Sequence, residues 1–226
     1  MGSLAWRTVG ELEGGLILSP ERYDPRRNVV SGSQLRLGDV AEVSAETMTV
    51  QPKGCRVLVL DTTHALEGFV LARHSPILRA ALKGVKRRLR AGDVIVSRLR
   101  PYLRQVAYVD EGLFVDAIGD REVAASTEFY VLRARSGFDV AALVPFLLSA
   151  EVQAALAAAQ EGGHHPRVGI SALRALPIPD WLVRESGRLG AEVRRDADAV
   201  RAAFLAGAQR SVEVGAANGG EPRPPR

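Results

Sequence analysis

Apolar positions along the chain follow three successive rhythms. The first 34 residues mix Gly, Pro and Arg without a sustained period; only Leu16 to Leu18 reads as a short strand, before turns at Ser19-Pro20 and Asp24-Pro25. From Leu35 to Arg133 the apolar residues come in short, dense groups. Leu37, Val40 and Val43 suit a short helix or turn facing a core. Arg56–Leu60 is a continuous apolar run of strand length, and Val85–Leu89, Val94–Ser97, Gln105–Val109, Leu113–Val115 and Thr127–Arg133 follow as further strands between turn residues. Short strands at such intervals predict a strongly bent sheet. Beyond Asp139 the period becomes helical: Asp139 and Ser149 are placed to cap two short helices separated near Pro145, Gly162-Gly163 stops the second, and Ile170–Leu176 is one more helical turn. From Trp181 onward Leu189, Val193, Val200 and Phe204 form one apolar stripe of a long helix, weakened at Gly187, Gly190 and Gly207.

The expected class is therefore α+β: a bent β-sheet with packed short helices, then a long C-terminal helix. The expected division is an extension at 1–34, a domain at 35–180, a helix at 181–213 and a disordered tail at 214–226. Composition fits, since 46% hydrophobic and 25% charged residues with a mean hydropathy of 0.00 describe a globular chain. No run of about 18 apolar residues exists, so no membrane span is expected. Neither is a signal peptide, and a lone Cys55 offers no internal disulfide or cysteine zinc site, which makes the cytoplasm the expected location.

Net charge changes the picture only when it is divided. The whole chain carries +4, but Arg73 to Arg104 holds ten basic residues against one acid, Asp93, a local +9. The remaining 20 basic and 25 acidic residues give −5. A basic block on an acidic body points to a polyanionic partner, nucleic acid first, or to a solvated face.

Catalytic signatures are few. There is no phosphate-binding glycine loop, no Gly-x-Ser-x-Gly, and no methyltransferase Asn/Asp-Pro-Pro-aromatic motif. His64, His74, His164 and His165 lack metal-ligand spacing, and Asp61 with His64 reads as turn chemistry. Asp116, Asp120 and Glu122 are acids of the kind a small magnesium-dependent nuclease uses, but no lysine lies nearby, and a solvated loop is the better account of them.

The informative segment is Gly92 to Arg104. A β-branched strand runs directly into Arg98, Arg100, Tyr102 and Arg104, an arrangement by which a rigid scaffold presents side chains to a duplex. Arginine pairs bidentately with phosphate or with guanine. Lys83, Lys86, Arg87 and Arg88 are candidate phosphate contacts. Arg167 with His164 and His165 forms a second candidate DNA-facing turn. Ser126, Thr127 and Glu128 could place polar groups in a groove, although the ordinary start of a strand accounts for them better, and Leu189, Val193, Val200 and Phe204 read as a helix–helix seam.

Gly92 to Val109 resembles the central strand-loop-strand of the target recognition domain in type I restriction specificity subunits. Leu37-Gly38-Asp39 resembles that domain's opening, Ser126 to Arg133 its next strand, Phe146 to Ser149 its helix, and Gly163 to Val168 with Leu176 to Pro179 its closing turn and exit; Tyr23-Asp24-Pro25 is similar to a segment preceding it. The pieces occur in the family's order over residues 35–182. The resemblance implies a non-catalytic subunit without a cofactor of its own. It would read double-stranded DNA and position a methyltransferase, in some members also a translocating nuclease, within a restriction-modification or related phage-defence system. S-adenosylmethionine and magnesium would belong to those partners. Family members carry two recognition domains and two helices; this chain has room for one of each, so a second copy or another half-subunit would complete it. The alternatives are an adaptor of a different defence complex, the nuclease above, and a scaffold with an acidic protein partner.

Overall fold

The computed structural model describes residues 35–48, 56–71, 77–78, 84–116, 119–135, 137–161 and 166–217. The extension with its Leu16–Leu18 strand, Cys55, Lys83, the Gly162-Gly163 stop, His164, His165 and residues 218–226 lie outside the described residues.

A four-stranded antiparallel sheet forms the centre. It contains β1 (Ala41–Val43), β8 (Val94–Ser97), β9 (Val106–Tyr108) and β13 (Phe129–Ala134), in the order β1-β13-β8-β9. A second sheet, ordered β2-β7-β12-β3-β6, holds β2 (Thr47–Met48), β3 (Arg56–Leu60), β6 (Ile77–Leu78), β7 (Lys86–Arg88) and β12 (Glu122–Ala125). The β-structure thus divides into small sheets, completed by the two-stranded pairs β4 (Ala65–Leu66) with β5 (Phe69–Val70), β10 (Val115–Asp116) with β11 (Gly119–Asp120), and β14 (Gln160–Glu161) with β15 (Arg167–Val168).

The central sheet is covered on both faces. Val94 and Val96 point with Leu132 into a core closed by Leu143, Leu147, Leu156, Leu173, Ile178 and Leu182, all from the helical half of the chain. Ile95, between those two valines, points the other way and packs with Phe129, Val131, Leu58, Leu60 and Val123 against the second sheet. A strand buried on both faces reads as an unbroken apolar run, which is why Val94–Ser97 lacks alternation. Val123 and Ala125 belong to β12, parallel to β3 and absent from the sequence-based expectation.

Helix α1 (Leu37–Val40) buries both its apolar residues. Its first turn is tied to the far end of the domain: Leu37 N donates to Leu176 O at 2.8 Å and Ile178 N to Leu35 O at 2.9 Å. Asp139 and Ser149 cap as expected, accepting from Ala141 N and Val152 N. The separation between helices falls elsewhere than expected. Pro145 lies in the first turn of α2 (Leu143–Leu147), following a 3₁₀ turn, where a missing N–H costs little; the break comes at Leu148-Ser149, before α3 (Ala150–Ala158). Leu113 is likewise not in a strand, because Glu111–Phe114 forms a 3₁₀ turn before β10. Helix α4 (Ile170–Arg174) leads through Pro177 to α5 (Asp180–Ala217), which continues past the expected end at 213. Among the described residues no single helix is long and apolar enough to cross a membrane.

Opposite the Arg98 end of β8 lies a charged junction between the sheets. Arg133 donates through Nε to Asp93 Oδ1 at 2.9 Å and through Nη1 to Glu46, which also receives Arg90 at 2.8 Å. Arg88 joins it, at 3.6 Å from Glu46 and 2.9 Å from Glu122. Desolvated acids and bases are tolerable there because each has a charged hydrogen-bond partner.

Candidate nucleic-acid interface

Strand β8 delivers the backbone of Arg98 into a fixed position. Arg98 N donates to Glu128 O at 2.9 Å, and Arg98 O accepts from Val168 N at 2.9 Å. The next residue, Leu99, bridges to Arg167. Three segments distant in sequence meet here: the end of β8, the turn before β13, and β15. Tyr130 adds a fourth tie, its phenol donating to Val168 O at 2.8 Å while burial pushes its pKa up.

Glu128 is the hub of the side chains. Its carboxylate accepts from Arg98 Nε at 2.9 Å and from Arg167 Nε and Nη2 at 3.1 and 3.0 Å. The hydrogen bonds from Arg167, aided by Arg98 and opposed by burial, hold the Glu128 carboxyl below its usual range. Arg87 on β7 also acts electrostatically on Tyr130, so a third arginine stands near this junction.

The chain then rises into a rigid tip. Pro101–Leu103 is one 3₁₀ turn whose two caps, Arg100 (φ 46°) and Arg104 (φ 52°), are both left-handed. Left-handed non-glycine residues cost free energy and persist where surrounding contacts hold them. Here buried Pro101 anchors the turn, Leu103 N and Arg104 N donate to Arg100 O and Pro101 O, and Arg104 Nε reaches Glu67 Oε1 at 3.0 Å. Tyr102, at the apex, is 65% exposed. Arg100 is exposed and has no ion pair among the described residues.

The structure therefore gathers Arg98, Arg100, Tyr102, Arg104 and Arg167 around one loop. Arg88 does not belong with them, since it is spent on the junction between the sheets; Lys86 and Arg87 lie on the same short strand and have no ion pair among the described residues. The sequence offers Glu128 only as strand entry or a polar group in a groove; that it holds Arg98, 30 positions away, and that Glu67 holds Arg104, 37 positions away, was not legible.

Two other candidates resolve locally. Asp61 caps a helical turn, and His64 Nδ1 accepts from Asp61 N at 2.9 Å. Among the described residues no three His, Cys, Asp or Glu side chains group as a metal site, and Glu122 is engaged by Arg88.

Helix α5 lies along its own domain rather than standing free. Leu189 and Val193 pack on the helical core, and Leu189 with Trp181, Pro145, Phe146 and Val152 lines an apolar groove of about 340 Å³. Two ion pairs fasten the helix: Arg194 to Asp139, bidentate at 3.0 and 2.7 Å, and Arg201 to buried Asp110 at 2.7 Å. The approach is close on each side: a Cβ at Gly190 would overlap the Asp139 carboxylate, and one at Gly112 would displace the Arg201 guanidinium, the movable end of a long side chain. Gly190 thus serves helix docking. Of the expected seam, Val200 and Phe204 lie nearer the far end and are half-buried.

No protein-family model and no curated protein sequence matches this chain. Solved structures do. The HsdS subunit from Thermoanaerobacter tengcongensis superposes with a TM-score of 0.51 at 23% identity over 80% of this chain. A chain from work on complex assembly and conformational transition of the type I R-M system gives 0.52, also at 23% identity. The fold is that of half an HsdS subunit. This chain spans 46% of each of those proteins, and the α+β class with a long final helix is shared with them.

Proposed function

We propose that this chain is a half-length specificity subunit that reads a short sequence in double-stranded DNA and positions a partner methyltransferase there. The observation that carries this reading is the tip formed by Arg98, Arg100, Tyr102 and Arg104: charged and aromatic groups on a backbone locked by β8, Pro101 and two left-handed caps, within an HsdS-type fold. Pre-set arginines suit base readout, each good bidentate contact being worth roughly 1–3 kcal/mol of discrimination. Lys86 and Arg87 supply sequence-independent phosphate attraction. A second copy, or a different half-subunit, supplies the second recognition domain, and a translocating nuclease joins the assembly in restriction. Catalysis, S-adenosylmethionine and magnesium belong to the partners.

The experiment is selection of bound duplexes from a random library by the co-purified complex, then anisotropy binding to the enriched and to a scrambled duplex. Changing Arg98, Arg100 and Arg104 together to alanine is expected to erase the preference while thermal unfolding still shows a cooperative fold. Equal preference in the variant would overturn the site, and no enrichment by the wild-type complex would overturn the function.

A further inference from the structure

The interface contains an acid where a phosphate-binding surface gains nothing from one. Glu128 sits between Arg98 and Arg167, 24% exposed, and its charge repels a DNA backbone that the arginines attract. Its contacts explain its presence. It takes Arg98 by Nε alone and Arg167 by the Nε/Nη2 edge, leaving Nη1 of each guanidinium outside the Glu128 contact. Arg98 directly follows β8 and Arg167 lies on β15; the Glu128 carboxylate joins their side chains, its carbonyl accepts from Arg98 N, and Val168 N of β15 donates to Arg98 O. Long arginine side chains lose rotamer freedom when they bind; a carboxylate that fixes them beforehand removes much of that cost at the specific site and lowers attraction to every other site.

We propose that Glu128 is a positioning and specificity-determining residue, holding Arg98 and Arg167 as a preset pair for base-edge readout and trading general DNA affinity for discrimination. This rests on the DNA-reading function proposed above. It makes opposite predictions for two ligands, which neither a simple charge effect nor a folding defect would do.

The test uses the full chain with its co-purified partners, the selected duplex and a scrambled duplex of equal length, over a potassium chloride series. Glu128→Gln is expected to bind the scrambled duplex about two- to fivefold more tightly, a repulsive charge having gone. The selected-to-scrambled ratio is expected to fall about tenfold or more, as preset arginines lose register. Arg167→Lys, which keeps the charge at a 41% exposed position but cannot offer the planar fork, is expected to lower the selected-to-scrambled ratio. Combining the two is expected to cost less than the product of the single effects, since both act through one contact. A preserved ratio in Glu128→Gln, or fully multiplicative effects in the double variant, would overturn the assignment. Should Glu128→Gln unfold, a preserved ratio in Arg167→Lys overturns it alone. A wild-type complex that favours no duplex would instead sink the underlying function, so the two failures are distinct.

Discussion

Gly187 and Gly190 lie three residues apart in the interior of α5, and alanine at each is expected to shift stability in opposite directions. Intrinsic propensity favours both changes by about 1 kcal/mol. At Gly187 nothing lies within 4 Å of an added Cβ, so the full gain should appear, raising Tm by roughly 2–4 °C for a domain of this size. At Gly190 the same methyl group would overlap the Asp139 carboxylate, which caps Ala141 N and grips Arg194. Displacing Asp139 forfeits a helix cap worth about 1 kcal/mol. It also forfeits a bidentate pair whose partly exposed partners reduce its worth to about 1 kcal/mol. Moving the helix off the domain, or straining the turn, adds to both. After subtracting the propensity gain, the net loss is about 1–2 kcal/mol. Urea and thermal unfolding, followed by helical circular dichroism, measure each variant. Repeating Gly190→Ala in an Asp139→Ala background should recover the alanine gain, because the obstacle is then gone. If Gly190→Ala stabilised the wild-type protein as much as Gly187→Ala does, α5 would not be seated on the Asp139 turn, and the reasoning would fail.

Arg100→Gly should be more stable than Arg100→Ala by roughly 1 kcal/mol, since glycine relieves the left-handed backbone; equal unfolding midpoints would show that the turn relaxes instead. Arg88→Ala should lower stability by about 1 kcal/mol with little change in DNA selectivity, because Arg88 serves the Glu46–Glu122 junction; a selectivity loss at unchanged Tm would return it to the interface. Arg201→Ala strands buried Asp110 and should cost about 1–2 kcal/mol after allowing for the arginine's partial exposure. Burial already raises the Asp110 carboxyl, so folding favours its protonated form: the penalty should shrink as pH falls toward 4 and be largest near neutrality, and a pH-independent penalty would refute this. Glu128 has the opposite sign, its folded pKa lying below the ordinary 4.5, so the stability it contributes is present above that pH and lost as pH falls through the folded value; comparison with Glu128→Gln across that window measures it.

What could be read from the sequence was whatever local physics dictates. Val94–Ser97 declared a strand because four buried β-branched or small residues run together, and Asp139 and Ser149 declared caps because a short polar side chain ahead of an apolar helix has few other uses. The arginine loop after the strand was legible, but which way Tyr102 faces was not, because the spacing lets it pack under the loop as well as stand at the apex, where it is 65% exposed. Long-range pairing was not. Glu122–Ala125 looks like a solvated loop until the parallel partner Arg56–Leu60, more than 60 residues away, covers it. Gly190 looked like a flaw in a helix because its reason, the Asp139 carboxylate, lies 51 positions earlier. Leu189 and Val193 formed a legible stripe, but a stripe does not say which surface it meets, and here it meets the chain's own core.

The basic block shows most clearly how folding rewrites a sequence-level charge. Ten basic residues between Arg73 and Arg104 invite the expectation of a field that draws DNA along the whole segment. The fold brings in acids from outside the segment: Glu46 to Arg88 and Arg90, Glu122 to Arg88, Glu67 to Arg104, and Glu128 to Arg98. Within the described part of the block, Lys86, Arg87 and Arg100 remain without such a partner. Ten phosphate contacts would give a salt slope near −9, whereas these three give about −2.7, or about −5.4 if Arg73, Arg79 and Lys83, outside the described residues, all contribute as well. A slope of roughly −3 to −5 for scrambled DNA therefore fits a surface whose arginines are mostly pre-paired for geometry. A slope near −9 would mean that DNA strips those carboxylates away, and that the pairs at Glu67 and Glu128 exchange for phosphates on binding.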